Sequence, residues 1–119
     1  MSVEGMWCFL TAQNDGPRDQ LVAGGVVTLE TGRIFGGDSI MAYKGTYEVG
    51  NGRIEGIVDT WQFNQMVSPA DDVFGQRGGK RKFEGQLLFE DREIVGHIWP
   101  EDAPNGALPI RLVKITDLD

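Results

Sequence analysis

The sequence contains very few of the residues on which most catalytic and metal sites depend. Cys8 is the only cysteine and His97 the only histidine among 119 residues. One cysteine excludes an internal disulfide, and the two residues together fall short of the three or four nitrogen and sulfur ligands of a zinc site. The first predicted strand offers the Cys8 thiol no cationic neighbour or helix N-terminus that would activate it. We therefore expect a buried structural cysteine, no metal or cofactor, and no enzymatic activity.

The sequence also lacks segments that direct a chain into or across a membrane. No apolar run approaches the ~18 residues of a membrane helix. A signal peptide begins with a basic segment followed by an apolar run. Residues 1–5 do not show this pattern. These absences predict a cytoplasmic protein with no membrane association.

Acidic residues outnumber basic ones: the chain has 11 Lys and Arg residues and 18 Asp and Glu residues, for a net charge of −7. Nucleic-acid backbones repel such a chain, so we expect no direct nucleic-acid binding. A protein partner with a basic face fits better, although solubility alone also explains a modest negative charge. The one basic cluster, residues 77–82, is interpreted as a soluble loop tip rather than a phosphate grip. The adjacent acids Asp71 and Asp72 are interpreted as part of a solvated turn.

No stretch keeps the hydrophobic period of a helix for long. Short apolar or alternating runs instead end at Gly, Asn, Asp or Pro, a pattern that predicts strands. We place strands near residues 4–11, 21–30, 33–36, 40–49, 53–63, 82–90, 93–99 and 108–116. Residues 69–75 are compatible with a single helical turn.

The predicted turns have recognisable sequences. Residues 14–17 (Asn-Asp-Gly-Pro) form a dense turn signal, and Thr31-Gly32 separates the second strand from the third. Gly50-Asn51-Gly52 is the clearest hairpin tip, because Asn-Gly tolerates the positive φ of a type I′ turn. Residues 100–109 contain three prolines and predict a loop.

Four glycines suggest one hairpin design used twice. Gly45 and Gly56 lie eleven residues apart across a polar turn, and so do Gly85 and Gly96. A glycine in mid-strand commonly marks a bulge or a sharp bend, which a small barrel needs in order to close. The sequence therefore favours one all-β domain over residues 1–119, an antiparallel up-and-down barrel of about eight strands. A two-sheet sandwich is the alternative for so many short strands.

The start of the chain resembles a motif of lipocalins and related barrels. Gly5-Met6-Trp7 is similar to their Gly-x-Trp signature. The resemblance implies that Trp7 plugs one end of the barrel and that a basic residue of the last strand lies over it. Arg111 occupies the predicted last strand and is the residue we expect to stack on Trp7, since arginine over an indole is favourable.

A second resemblance covers roughly residues 5–63. Gly36-Gly37-Asp38 follows a strand and a short turn, and Tyr43-x-Gly45 comes soon after. This pattern resembles the GrlR-type family of negative regulators of type III secretion genes. The resemblance implies a lipocalin-like eight-stranded barrel that acts as a homodimer and represses transcription by binding a transcription activator. From turn preferences alone, Asp38 should bond nearby backbone amides at a tight entry to the next strand.

The chain departs from that family at one functional loop. An acidic Glu-Asp-Glu-Asp loop follows the Tyr-x-Gly strand of the best-known member, whereas this chain has Glu48 followed by Val-Gly-Asn-Gly. Another predicted hairpin tip is acidic, with Glu90, Asp91 and Glu93. These three residues are the candidate contact for a protein partner, which by charge would be a basic transcription activator.

A small-molecule carrier is the alternative from a different functional class. An eight-stranded barrel is just wide enough either to be filled by side chains or to hold one small ligand. Aromatic side chains available to line an apolar interior are Trp7, Phe9, Tyr43, Tyr47, Trp61, Phe63, Phe83, Phe89 and Trp99. Which of them point inward depends on the strand register, and core filling is the competing role for such residues.

Overall fold

The computed structural model describes residues 2–12, 16–17, 19–21, 23–64, 68–72, 74 and 76–118. It forms a closed barrel of antiparallel strands in which each strand pairs with the next along the chain and β1 pairs with β8. The strands are β1 (Gly5–Thr11), β2 (Ala23–Glu30), β3 (Arg33–Gly37), β4 (Met41–Gly50), β5 (Arg53–Gln62), β6 (Gly79–Leu88), β7 (Glu93–Pro100) and β8 (Leu108–Thr116). The predicted barrel is confirmed. The sandwich is wrong, because one continuous sheet closes on itself.

The eight predicted strands all form, with one informative shift. β6 begins at Gly79, three residues before its predicted start, because Gly79 and Arg81 pair with Thr60 and Val58 of β5. The predicted turn at residues 14–17 falls partly on residues 14 and 15, which lie outside the described residues.

The expected helical turn over residues 69–75 is not formed at residues 69–72, and residues 73 and 75 lie outside the described part of the chain. The backbone N–H of Asp72 donates to the carbonyl of Gln76, which is the reverse of a helical hydrogen bond. A 3-10 turn over Pro104–Gly106 stands in the predicted proline-rich loop.

Two hairpin tips have the backbone geometry that their sequences predict. Asn51 and Gly52 have φ of 54° and 74°, and Thr31 and Gly32 have φ of 53° and 76°. Two successive positive φ values are the mark of a type I′ turn, whose twist matches the flanking strands.

The up-and-down topology divides the connections between the two ends of the barrel. The β2–β3, β4–β5 and β6–β7 tips lie at the end where β1 begins, which we call the Trp7 end. The β3–β4 turn and the long connection before β6 lie at the opposite end, which we call the Arg81 end. The three connections at the Trp7 end are thus short tips, whereas the Arg81 end combines the short β3–β4 turn with the longer connection before β6.

Side chains alternate between the interior and the outer surface along each strand, as strand geometry requires. β7 illustrates this, because Ile94, Gly96 and Ile98 are buried while Val95 and His97 are exposed. All four mid-strand glycines share the inward parity of these buried neighbours, since Gly45 lies opposite Val58, Gly56 opposite Phe83, and Gly85 opposite Gly96.

The inward glycines permit contacts that a β-carbon would prevent. A β-carbon on Gly56 would lie 2.7 Å from the ring of Phe83, and one on Gly85 would lie 2.7 Å from the Cγ2 atom of Ile94. At Gly96 it would overlap the carbonyl oxygen of Glu84. The strand pairing runs through these glycines without the expected bulge, and their role in this fold is the close approach of neighbouring strands and side chains.

This close approach predicts a strong position dependence for Gly→Ala substitutions. Gly96→Ala should lower the free energy of unfolding by about 1–3 kcal/mol, because overpacking against backbone forces the strands apart. Gly50→Ala is the matched control, since no atom lies within 4 Å of a β-carbon there. Urea unfolding of both variants checks this, and equal effects at the two positions would contradict it.

Candidate functional site

A cavity of about 440 Å³ occupies the barrel interior and reaches the connecting segments at the Arg81 end. Most of its wall consists of apolar side chains, and each of the eight strands contributes at least one of them. The apolar lining residues are Phe9, Val27, Leu29, Ile34, Met41, Ile54, Val58, Phe83, Ile94, Ile98, Ile110 and Leu112. Its polar groups, including Asp38, Tyr43, Asp72 and Arg81, gather towards the Arg81 end.

The Trp7 end is closed by a buried polar arrangement around Trp7. The indole is fully buried, and its Nε1–H donates to the carbonyl of Val3 at 2.8 Å. The ammonium of Lys114 lies 5.4 Å from the indole centroid and donates to the carbonyl of Ser2 and to Asp117 Oδ1. That ammonium lowers the pKa of Asp117. The plug implied by the lipocalin resemblance is therefore present.

The cation that stacks on Trp7 is Lys114, and the expectation for Arg111 is wrong. Leu112 and Lys114 face inward in β8, so the side chain of Arg111 points outward by strand alternation. There the Nε of Arg111 donates to Glu93 Oε1 at 2.6 Å. Trp7 lies opposite Lys114 in the same register that pairs Leu10 with Arg111, and the sequence order alone does not give this register.

The motif residues Asp38 and Tyr43 form one hydrogen-bonded unit at the β3–β4 turn. Asp38 Oδ1 accepts the backbone N–H groups of Ile40 and Met41 at 2.8 and 2.7 Å, as predicted for a tight strand entry. The Tyr43 hydroxyl donates to Asp38 Oδ2 at 2.6 Å. Burial, together with this carboxylate, raises the pKa of Tyr43 far above its ordinary value.

The glycines of the same motif let neighbouring strands approach. A β-carbon on Gly36 would overlap the carbonyl oxygen of Val26, and one on Gly37 would lie 2.6 Å from that of Met41. Gly45 is similarly enclosed by Ile57 and Val58 of β5. The Gly-Gly-Asp and Tyr-x-Gly pattern therefore has a structural role in this chain.

The most unusual group at the cavity is the guanidinium of Arg81. Its side chain is only 3% exposed, and Nη2 donates to Asp72 Oδ2 at 2.5 Å. Nη1 donates to the carbonyl of Lys80 at 3.0 Å, whereas Nε is buried and has no hydrogen-bond partner among the residues that the structure describes. The ring of Phe74 lies 5.1 Å from the guanidinium carbon. Phe74 also lines the cavity.

These positions correct two interpretations of the sequence. Arg81 is an interior residue of β6 rather than part of a soluble loop tip, and Asp72, whose side chain is 10% exposed, is its ion-pair partner rather than a member of a solvated turn. Asp72 Oδ1 also accepts the backbone N–H groups of Phe74 and Gln76, which shapes the segment before β6. Side chains two residues apart in a strand face the same side. Extending the predicted β6 back to Gly79 would therefore have placed Arg81 on the inward face with Phe83.

The aromatic residues named as candidate linings divide between the two faces of the barrel. Phe9, Tyr43 and Phe83 line the cavity, while Trp7 and Tyr47 are buried in the core. Trp61, Phe63 and Phe89 are exposed, and Trp99 is half-buried. Three of the nine thus contribute to the cavity wall.

The acidic β6–β7 tip projects from the Trp7 end. Phe89, Glu90 and Asp91 have consecutive φ values of 53°, 58° and 64°, a left-handed conformation that costs non-glycine residues about 1–2 kcal/mol each. Phe89 is 71% exposed, and Glu90 is exposed beside it. Glu93 lies in β7, where its carboxylate accepts a hydrogen bond from Arg111. Of the three candidate residues, the structure therefore places only Glu90 and Asp91 in the tip.

Cys8 and His97 are not brought together. Cys8 lies beside Val113 of β8, and His97 lies beside Pro109 near the start of the same strand. Cys8 is half-buried rather than fully buried as expected. Among the residues that the structure describes, no group of His, Cys, Asp and Glu could hold a metal ion. No helix in the same part of the chain is long and apolar enough to cross a membrane.

Comparison with known proteins gives no match for this chain, either among protein-family models or among curated proteins.

The Tyr43–Asp38 bond predicts a pH-dependent effect of Tyr43→Phe. At neutral pH the variant should lose about 1–2 kcal/mol of unfolding free energy, because Asp38 loses one donor. The fold raises the pKa of Tyr43, so its stabilising contribution is complete below the ordinary tyrosine pKa of about 10 and is lost as pH rises further. The difference between variant and wild type should therefore narrow above about pH 10. Urea unfolding at neutral and alkaline pH measures both values, and an undiminished difference at alkaline pH would contradict the assignment.

Proposed function

We propose that this chain is a non-enzymatic binding protein that takes up a small, mainly apolar molecule in the barrel interior. The observation that carries the proposal is the cavity of about 440 Å³, which lies within the range of about 300–1,000 Å³ typical of small-molecule sites. Apolar walls with a few polar groups at one end match the usual composition of such sites.

The energetics of the cavity support occupation by a ligand. Water occupies about 30 Å³ per molecule in the liquid, so roughly fifteen waters would be needed to fill the space. Such water would lie against mostly apolar walls, which offer it few hydrogen-bond partners. An apolar ligand would instead make van der Waals contacts with these walls and would release the water.

The inward glycines keep further side chains out of this small barrel. Positions 45, 56, 85 and 96 contribute no side chain to the interior, and atoms of neighbouring strands lie close to all four. The alternative, a barrel filled by its own aromatic residues, is disfavoured because Trp61, Phe63 and Phe89 point outward.

Cavity binding predicts that butylbenzene, an apolar probe, stabilises the purified protein. The midpoint of thermal unfolding should rise with probe concentration, as expected for a ligand that binds only the folded state. Val58→Phe should weaken binding at least tenfold, because Val58 lines the cavity and the larger ring fills it. Val95→Phe is the control, since Val95 is exposed on the outer face.

Native mass spectrometry of the purified chain supplies an independent test. A stoichiometric apolar ligand retained through purification would support the proposal. A protein that carries no ligand and whose thermal midpoint does not respond to butylbenzene would contradict it.

A second candidate function, regulation through a protein partner, is favoured by the β6–β7 tip. The tip presents Phe89 at 71% exposure next to Glu90 and Asp91, on strained backbone of a kind that clusters at functional sites. An exposed aromatic flanked by acids suits a partner with an apolar pocket rimmed by basic residues. On the resemblance to the GrlR-type family, this function would be negative regulation of type III secretion genes in the cytoplasm. The partner would be a basic transcription activator.

The outer face of the β2–β1–β8 region is consistent with the homodimer that the same resemblance implies. Val26, Cys8 and Val113 lie side by side across three strands. Val26 and Val113 are 40% and 39% exposed, and Ile115 nearby is 53% exposed. A second copy of the chain would cover this apolar row, as homodimer interfaces are more apolar than ordinary protein surface.

Partner binding at the tip predicts a selective loss on mutation. In a pull-down from native cytoplasm at moderate salt, the wild type should retain a protein partner. The triple variant Phe89→Ser, Glu90→Gln and Asp91→Asn should not retain it, because the variant lacks the aromatic anchor and two charges. Glu101→Gln with Asp102→Asn is the matched control, since it removes two charges at the opposite end of the barrel. Equal retention by both variants would exclude the tip, and no specific partner for the wild type would count against the regulatory function.

A further inference from the structure

We infer that the ligand of the cavity is an uncharged, mainly apolar molecule carrying a carbonyl-type oxygen, and that the Arg81 guanidinium donates a hydrogen bond to that oxygen. The inference rests on the proposed cavity function and adds the chemical class of the ligand.

The first argument is the incomplete hydrogen bonding of a deeply buried cation. Arginine carries five N–H donors and pairs with carboxylates most favourably through two parallel bonds. Asp72 meets only Nη2 at 2.5 Å, since its other oxygen accepts the N–H groups of Phe74 and Gln76. Nε is left with no partner. A buried donor without a partner costs about 1–3 kcal/mol, and an oxygen supplied by a ligand would remove this cost.

The second argument is location, because Arg81 lines the same cavity as the apolar side chains. Its neighbours in β6 with the same parity are Phe83 and Gly85, so a molecule lying along the apolar wall has its end near the guanidinium. A single polar contact at the end of an apolar site fixes the orientation of a ligand.

The charges at this end of the barrel favour a neutral oxygen over an anion. Arg81 is already paired with Asp72, and Asp38 and Asp71 also line the cavity. Arg77, which pairs with Asp71, is 66% exposed at the surface and is not among the cavity residues. A ligand carboxylate would therefore enter a region whose one buried cation is already neutralised, and burying a further charge without its own partner is costly. A ketone, ester or amide oxygen accepts the hydrogen bond without that cost.

We expect Phe74 to respond to the ligand, because its ring packs against the guanidinium. Nε is covered, so an entering oxygen has to displace a neighbouring group. The Phe74 ring lies 5.1 Å from the guanidinium carbon and also along the cavity wall. A small shift of this ring would let the oxygen reach Nε while the pairing of Arg81 with Asp72 remains.

The test compares three probes of similar size: butylbenzene, which has no acceptor, butyrophenone, which has a ketone, and phenylbutyrate, which has a carboxylate. Calorimetric titration of the wild type should show butyrophenone binding about tenfold more tightly than either of the others, as expected for a hydrogen bond to a charged donor. The variant Arg81→Met with Asp72→Asn removes both charges together, a change that buried ion pairs often tolerate. It should bind the ketone and butylbenzene equally. Arg77→Met, which alters an exposed ion pair on the same segment, should keep the tenfold preference.

A spectroscopic measurement on the wild type makes the test independent of the folding of any variant. The carbonyl stretch of isotope-labelled butyrophenone should move to lower frequency on binding, relative to the ketone in an apolar solvent, because the carbonyl oxygen accepts a hydrogen bond from a cation. An unshifted carbonyl, equal affinities for butyrophenone and butylbenzene, or a preference for phenylbutyrate would each overturn the inference while leaving cavity binding intact. Failure of all three probes to bind would instead overturn the proposed function on which it rests.

Discussion

Closure of the sheet by β1–β8 pairing is the constraint on which the remaining structure depends. A closed antiparallel barrel has no free edge, and its strand alternation assigns every side chain to the interior or the outer surface. The interior of an eight-stranded barrel is narrow, so each inward position matters for volume. Four inward glycines at positions 45, 56, 85 and 96 therefore let neighbouring strands and side chains approach closely.

The two ends of this interior are closed by different chemistry. At the Trp7 end, the ammonium of Lys114 is met by Ser2, Asp117 and the indole face, and its side chain is 2% exposed. At the Arg81 end, the guanidinium is equally buried but keeps a donor without a partner. Satisfied buried polar networks stabilise a fold, whereas an incompletely satisfied one is a cost that calls for a reason. This asymmetry is why we assign ligand recognition to the Arg81 end and a structural role to the Trp7 end.

Much of the fold could be predicted from local sequence patterns, because turn chemistry and period-two alternation act over a few residues. Gly50-Asn51-Gly52 formed the expected type I′ tip, and Asp38 formed the expected bonds to backbone amides. The failures involve contacts between distant segments. Lys114 rather than Arg111 stacks on Trp7 because Lys114 lies opposite Trp7 in the register, whereas Arg111 lies opposite Leu10 on the outer face. Arg81 was misplaced because its charge suggested solvent, and the carboxylate that pairs with it comes from a segment with no regular structure. Burial of a charge depends on its partner, which a pattern along one strand does not reveal.

The two proposed binding regions lie at opposite ends of the barrel, and this separation has thermodynamic consequences. Coupling between two sites requires an element with two arrangements whose equilibrium both ligands bias. The strands between the Arg81 end and the β6–β7 tip form one continuous hydrogen-bonded sheet, and the glycines within it leave no room for a β-carbon, which favours a single arrangement. A ligand in the cavity should therefore stabilise the fold without changing the tip. If a cavity ligand were found to alter partner affinity, the coupling would have to run through the segment around Asp72 and Phe74 or through the association of two copies, since those are the parts of the molecule that barrel closure does not fix.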